Sequence, residues 1–279
     1  MPLTKLTTVI TDDVRRALAE DIGDGDITAA LIPAEATSTA TVISRESATI
    51  CGTDWFNEVF AQLDTTININ WQVSDGDTVT AEQILCTLSG SSRALLSGER
   101  SALNFLQTLS ATATNAKQYA DAVQGTNTKV LDTRKTIPGL RRALKYAVTC
   151  GGCHNHRIGL FDAYLIKENH IAAAGSIQNA VNQARKLNAD KKIEVEVEDL
   201  HQLQQALNAG SDIIMLDNMN LDQLTQAVAI NNGQAKLEAS GNVSLQTVRA
   251  IAETGVDYIS TGELTKHIQA IDLSMRFRE

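Results

Sequence analysis

Between Asp132 and His170 the chain gathers seven of its 24 Lys and Arg and three of its five His against only three acids, Asp132, Asp162 and Glu168. That stretch carries +4, while the remainder of the chain carries −13. A cationic patch on a chain of net charge −9 suits a small anionic ligand. It does not suit nucleic acid, which needs basic charge spread along a surface, and a pI near 5.1 opposes that reading too. Arg134 and Lys135 directly follow the apolar run KVLD and precede a helix start, so they are read as ligand contacts, the guanidinium fork matching carboxylate or phosphate oxygens. His156 and Arg157 stand just before the next apolar run and are read the same way, whereas Arg141 and Arg142 are read as a solvated helix face.

CGGCH, Cys150 to His154, has the spacing of a c-type haem attachment, and with His156 it suggests a zinc cluster. Haem attachment needs an exported protein. A structural zinc site needs a second ligand pair, which Cys51 and Cys86 do not offer in CxxC form. The glycines are therefore read as a tight turn that approaches a ligand. The first twenty residues turn acidic without an apolar run, so no signal peptide is expected, and no stretch reaches membrane-spanning length. Four cysteines in 279 residues then read as reduced thiols of a cytoplasmic protein.

The elements that must position these groups fall into two textures. Val14, Leu18 and Ile22 at helical spacing after Thr11 and Asp12 predict a helix ended by Gly23, and β-branched alternation over 37–90 predicts strands, with a turn at 73–79. Helical runs follow around 95–106 and 111–123. Beyond Thr126 near-continuous apolar runs at 129–132, 163–166, 193–197, 213–216, 236–240 and 257–260 alternate with amphipathic stretches at 176–188, 199–209, 220–230 and 244–254. That is a βα pattern with a parallel sheet, and six units suit a barrel better than an open sheet. Thr136 and Pro138 are read as the start of a helix with Leu140, Ala143, Leu144 and Ala147 on its buried stripe.

In a β/α barrel the chemistry lies at the C-terminal strand ends. Here these read Asp132-Thr133-Arg134-Lys135, Lys167-Glu168-Asn169-His170, Glu196, Asp217-Asn218, Ser240-Gly241-Asn242 and Ser260-Thr261-Gly262. The first two supply cations and the next two carboxylates, a reasonable Mg²⁺ or ribose-diol site. The last two supply hydroxyl and glycine turns that can offer N–H groups to phosphate. Glu194, Glu196 and Glu198 share one face of IEVEVE, and a carboxylate inside a barrel needs a partner.

AEDIGDGDIT, SGERSALNFLQTLSATAT, LDTRKTIPGLRRALKYAV, GGCHNHRIGLFDAYLIKENHI, IEVEVE, IIMLDNM, EASGNV and DYISTGELT, in this order, resemble the quinolinate phosphoribosyltransferases, the nicotinate-nucleotide pyrophosphorylases (carboxylating). The resemblance implies an α/β protein with an N-terminal α/β sandwich over 1–111 and a C-terminal incomplete α/β barrel with parallel strands over 112–279, the C-terminal tail being free to pack back on the first domain. It implies a cytoplasmic homodimer that meets neither membrane nor nucleic acid, acting on quinolinate and phosphoribosyl pyrophosphate with Mg²⁺ and no organic cofactor. Arg134, His156, Arg157 and Lys167 would meet the two quinolinate carboxylates, with Arg100 entering from the partner. Lys135 and His170 would meet carboxylate or pyrophosphate oxygens, and Glu196 and Asp217 the ribose hydroxyls and Mg²⁺. Thr133 joins the substrate contacts, and Ser240, Gly241, Asn242, Ser260, Thr261 and Gly262 would cradle the 5-phosphate. Lys135, Lys167, Glu196 and Asp217 are the expected catalytic residues. Cys153 replaces a glycine usual in the family. Two other readings remain: a same-fold enzyme acting on nicotinate or another acid, and a catalytically silent phosphometabolite-binding barrel.

Overall fold

The computed structural model describes residues 3–278 and the side chains of 6–277. The first elements in chain order are α1 (Leu3–Ile22), a 3-10 turn (Ala29–Leu31), β1 (Thr37–Ser44), β2 (Ala48–Thr49), α2 (Thr53–Leu63), β3 (Asn68–Trp71), β4 (Thr78–Val79) and β5 (Ile84–Ser91). Then follow α3 (Ser92–Ala122), β6 (Lys129–Leu131), α4 (Arg141–Cys150), β7 (Tyr164–Ile166), α5 (Glu168–Ala174), α6 (Ile177–Leu187), β8 (Ile193–Val197) and α7 (Leu200–Asn208). The last are β9 (Ile213–Asp217), α8 (Leu221–Asn231), β10 (Lys236–Ser240), α9 (Val248–Glu253), β11 (Tyr258–Ser260), α10 (Glu263–Lys266) and β12 (Leu273–Arg278). Residues Met1–Lys117, Thr136–Gly152 and His267–Glu279 make one compact unit, and Gln118–Lys135 with Cys153–Lys266 make a second.

In the first unit an antiparallel sheet of order β12-β1-β5-β3 and a small pair β2-β4 support the helices. Apolar residues from α1 to α4 join Val42, Leu85 and Leu88 of the sheet in one core. Trp55, Phe56 and Phe60 of α2 are fully buried there, and the Trp71 ring meets that of Phe56 edge-on at 5.2 Å. Burial of aromatic area is the main stabilising contribution of α2. The final strand β12 pairs along β1 from Thr39↔Arg278 to Ser44↔Leu273.

Three boundaries differ from those the periodicity suggests. α1 begins at Leu3, so Thr11 and Asp12 lie inside it rather than at its cap. The two helical runs of 95–123 are one 31-residue helix, α3, because Ser101, Ser110 and Thr112 are buried within it rather than breaking it. α4 starts at Arg141, not at Thr136: Gly139 takes φ +83°, outside the helical region, and Thr136 Oγ1 instead accepts from Arg141 Nε at 3.2 Å. Of its expected stripe Ala143, Leu144 and Ala147 are fully buried, whereas Leu140 lies at the N-cap and is half-buried.

The second unit is a six-stranded sheet of order β6-β11-β10-β9-β8-β7 in which every neighbouring pair of strands is parallel. All six apolar runs are strands within a residue of their expected limits. Ile193, Val195, Val197, Ile214, Leu216 and Ile259 are fully buried, as strands covered on both faces must be. Beyond the edge strand β6, the segment at His154 adds a parallel bridge to Leu131. Two residues on, His156 reaches Glu194 of β8 and Glu238 of β10. The sheet therefore curls round towards closure, with β6 and β7 at the two ends of its order: an incomplete barrel.

Candidate active site

A cleft of about 420 Å³ opens at the C-terminal strand ends of the barrel, lined by Thr133, Arg134, Lys135, His156, Arg157, Lys167, Glu196, Asp217, Ser240 and Ser260, with Leu165 and Met215 as apolar wall. Such a volume fits a small ligand. The polar residues come from the ends of β6 to β11 and from the loop that enters β7, so the parallel sheet places groups far apart in sequence side by side.

Four cations, Arg134, Lys135, Arg157 and Lys167, meet two carboxylates, Glu196 and Asp217. Lys167 Nζ pairs with Glu196 Oε2, and Asp217 Oδ2 accepts from Asn218 Nδ2 at 2.7 Å. Burial lowers the pKa of Arg157 below the usual guanidinium range, and the neighbouring Arg134 cation adds to that effect. An excess of partly desolvated cations of one sign is the electrostatic mark of an anion site.

Buried carboxylates hold the loop that carries His156 and Arg157. Asp132, fully buried at the end of β6, accepts from the His156 backbone N–H at 2.9 Å and from Asn155 Nδ2 at 2.7 Å. The Arg157 backbone N–H donates to His156 Nδ1 at 2.8 Å, which leaves the ring proton on Nε2, 2.9 Å from Glu194 Oε2. His156 thus lines the cleft with both ring nitrogens already engaged by the protein. The sequence reading singled out neither Asp132 nor Glu238. The available signals were an acid closing the apolar run VLD and another in the middle of KLEAS.

Glu238 is fully buried, and neither of its carboxyl oxygens meets hydrogen-bond geometry. Burial, then the adjacent Glu194 carboxylate, push its acid up to about 8. A folded state that keeps this proton is favoured below the ordinary carboxyl range, and that advantage is lost as pH rises through about 8. Glu238→Gln, which has no proton to lose, is expected to flatten the dependence: from pH 6 to pH 9 its Tm should fall by roughly 5 °C less than that of the parent. Parallel slopes in thermal melts across that range would show that Glu238 does not hold the proton.

Six expected site residues lie outside the cleft lining. Arg100 is exposed on α3, in the first unit. His170 is exposed in the first turn of α5, its Nδ1 accepting from the Lys167 backbone N–H at 3.0 Å, a contact that fixes the base of Lys167. Gly241 and Asn242 take φ +92° and +53°, and a Cβ on Gly241 would fall 2.1 Å from Asn218 Oδ1, so only glycine fits where the β9 and β10 ends converge. Thr261 is buried, its N–H bonded to Leu131 O at 3.0 Å. Gly262 lies against the Lys135 side chain, whose Cδ a Cβ would meet at 3.0 Å.

Comparison with known proteins gives this geometry a family. The profile "Quinolinate phosphoribosyl transferase, N-terminal domain" matches residues 26–110, and its C-terminal counterpart matches residues 112–276. The probable nicotinate-nucleotide pyrophosphorylase (carboxylating) of Bacillus subtilis is 40% identical over 257 residues, 92% of this chain and 89% of that protein. The corresponding protein of Synechocystis is 41% identical over 281 residues, 99% of this chain and 95% of its own. A solved nicotinate-nucleotide pyrophosphorylase from Francisella tularensis matches with a TM-score of 0.93 at 50% identity, covering 97% of this chain and 96% of that one. With both domain profiles matched in order and the likeness running along nearly the whole length, the chain belongs to the quinolinate phosphoribosyl transferase family.

Proposed function

We propose that this protein transfers the phosphoribosyl group of phosphoribosyl pyrophosphate to the ring nitrogen of quinolinate, with loss of carbon dioxide, giving nicotinate mononucleotide and pyrophosphate in de novo NAD synthesis. The observation that carries the reading is the cleft that sets four cations against two carboxylates. Both substrates are polyanions, and quinolinate has two carboxylates to neutralise. Arg134, Arg157 and Lys167 bind these, the Arg forks by paired hydrogen bonds. His156 holds the backbone of Arg157 in place, and His170 does the same for Lys167. Lys135 takes pyrophosphate oxygens, with Thr133 beside it, and Ser240 and Ser260 face the 5-phosphate. Gly241, Asn242, Thr261 and Gly262 shape the turns behind them.

As pyrophosphate leaves with the C1–O electron pair, positive charge develops on the ribose, and Glu196 and Asp217 stabilise it. The quinolinate nitrogen then bonds to C1. The resulting pyridinium draws the electron pair of the C–CO2 bond onto the ring carbon, which takes a proton from water, so no organic cofactor is needed. Each ribose-side carboxylate has one oxygen engaged within the protein and a second available to a hard cation or a hydroxyl. That donor set suits Mg²⁺, which keeps waters and leans on phosphates; when bound it neutralises pyrophosphate charge.

The protein acts as a homodimer in the cytoplasm, Arg100 reaching a quinolinate carboxylate in the partner's site. Ile27 and Leu31 are more than four-fifths exposed, and Leu96 lies one turn before Arg100 on α3. Hydrogen bonds from Arg93 and Ser97 hold the 26–32 stretch against that helix. An apolar patch beside an exposed arginine supports coverage by a second subunit. Among the described residues no helix is long and apolar enough to cross a membrane.

Mononucleotide formation measured with quinolinate and with nicotinate tests the reading. Turnover with quinolinate alone is expected; turnover with nicotinate alone, or with neither, overturns it. Gly262→Ala is a local check on Lys135. The added methyl displaces the lysine by a few tenths of an ångström, so the KM for phosphoribosyl pyrophosphate should rise roughly three- to tenfold while the KM for quinolinate and the Tm hold.

A further inference from the structure

Cys150, the first residue of CGGCH, has a neighbour that the spacing does not reveal. Cys51 in the loop before α2, Asp75 in the turn before β4, and Cys150 at the end of α4 each bring one donor atom within 4.8 Å of the other two. All three belong to the first unit, whereas Cys153 and His154 belong to the second. Cys51 is fully buried, and Asp75 and Cys150 are half-buried. The carboxylate is held in place before any ligand arrives: its Oδ1 accepts from the backbone N–H groups of Gly52 and Thr53 at 3.0 and 3.1 Å, and its Oδ2 accepts from the Tyr146 hydroxyl at 2.9 Å. Tyr146 lies one turn before Cys150 on α4, so that helix presents a sulfur and an oxygen on one side.

Two sulfurs and a carboxylate oxygen form a borderline-soft set that fits tetrahedral zinc and rejects Mg²⁺ or Ca²⁺. Zn–S bonds of about 2.3 Å place tetrahedral sulfurs about 3.7 Å apart. The three donor atoms already lie within 4.8 Å of one another, so the sulfurs need to close by no more than about 1 Å. We propose that Cys51, Asp75 and Cys150 bind one thiophilic divalent cation of the zinc class, with water in the fourth position. The site would clamp the α2 loop, the 73–77 turn and the end of α4 together. It is independent of the phosphoribosyl reaction, none of whose assigned residues it uses.

The test is a Co²⁺ titration of the full chain kept reduced by a phosphine. One equivalent should produce a thiolate-to-cobalt charge-transfer band with the visible bands of four-coordinate cobalt, and Zn²⁺ should bleach both. Zinc should also raise the Tm, by roughly 5 °C at saturating metal. Cys51→Ser and Cys150→Ser should each lose the bands, while Cys153→Ser should keep them. Circular dichroism establishes that each variant is folded, and if Cys51→Ser fails to fold, half-buried Cys150→Ser decides alone. Absence of a saturable band in the reduced parent overturns the proposal, as does a band that survives Cys150→Ser or disappears in Cys153→Ser. Thiol counting that finds Cys51 bonded to Cys150, with no cobalt binding after reduction, makes the pair a disulfide instead and overturns it as well.

Discussion

Glu196→Gln is expected to lower kcat about a hundredfold or more while leaving quinolinate affinity within about threefold. On the proposed reading the Glu196 carboxylate faces the ribose, so its charge should matter most as pyrophosphate departs and the sugar turns cationic. In the ground state it neutralises Lys167. Replacing it by a neutral amide frees that ammonium for quinolinate, so binding of the acid should hold or tighten. Equilibrium binding of quinolinate set beside steady-state turnover separates the two effects. A tenfold loss of quinolinate affinity with phosphoribosyl pyrophosphate binding intact would place Glu196 on the wrong side of the site.

The second large effect concerns Arg100. An exposed arginine on a helix ordinarily contributes little, and Arg100→Ala would then be almost silent. If the residue completes the partner's site, Arg100→Ala and Lys167→Ala should each be close to inactive as homodimers. Mixed and allowed to exchange subunits, they should recover activity, because a hybrid has one site with both defects and one with neither. With random pairing about half the dimers are hybrids, so the mixture should approach roughly a quarter of parental activity, for independent sites on a two-fold interface. Mass-verified exchange without recovery would mean that Arg100 acts within its own chain or supports the fold.

The barrel was legible because its strands are short apolar runs between amphipathic stretches, a pattern that a parallel sheet covered on both faces requires. Its rim followed from the residues that close or follow each run, and the fold brings Thr133, Arg134, Lys135, Lys167, Glu196, Asp217, Ser240 and Ser260 into one cleft. What escaped was tertiary. IEVEVE announces three acids on one face, but only the curl of the sheet makes Glu194 a partner of His156 and leaves Glu198 exposed. Gly241 and Gly262 read as phosphate cradles, whereas their lack of a side chain also makes room for Asn218 and Lys135. CGGCH drew attention to Cys153, yet the sulfur near Cys150 comes from a residue 99 positions earlier in the chain, a separation that spacing rules do not cover.

The pairing of β12 with β1 has a consequence for how the molecule is made. The first unit begins with α1 but draws Ala143, Leu144, Ala147 and Met275 into its core, and β1 keeps one edge open until Leu273–Arg278 has left the ribosome. Every residue of the barrel is therefore synthesised before that sheet is finished. An exposed strand edge invites pairing with another nascent chain. A fragment ending at residue 111 would retain that open edge permanently and lack the α4 stripe, so it should aggregate where the full chain folds. In vivo the interval of risk is set by translation speed through the barrel, and slow codons there would lengthen it.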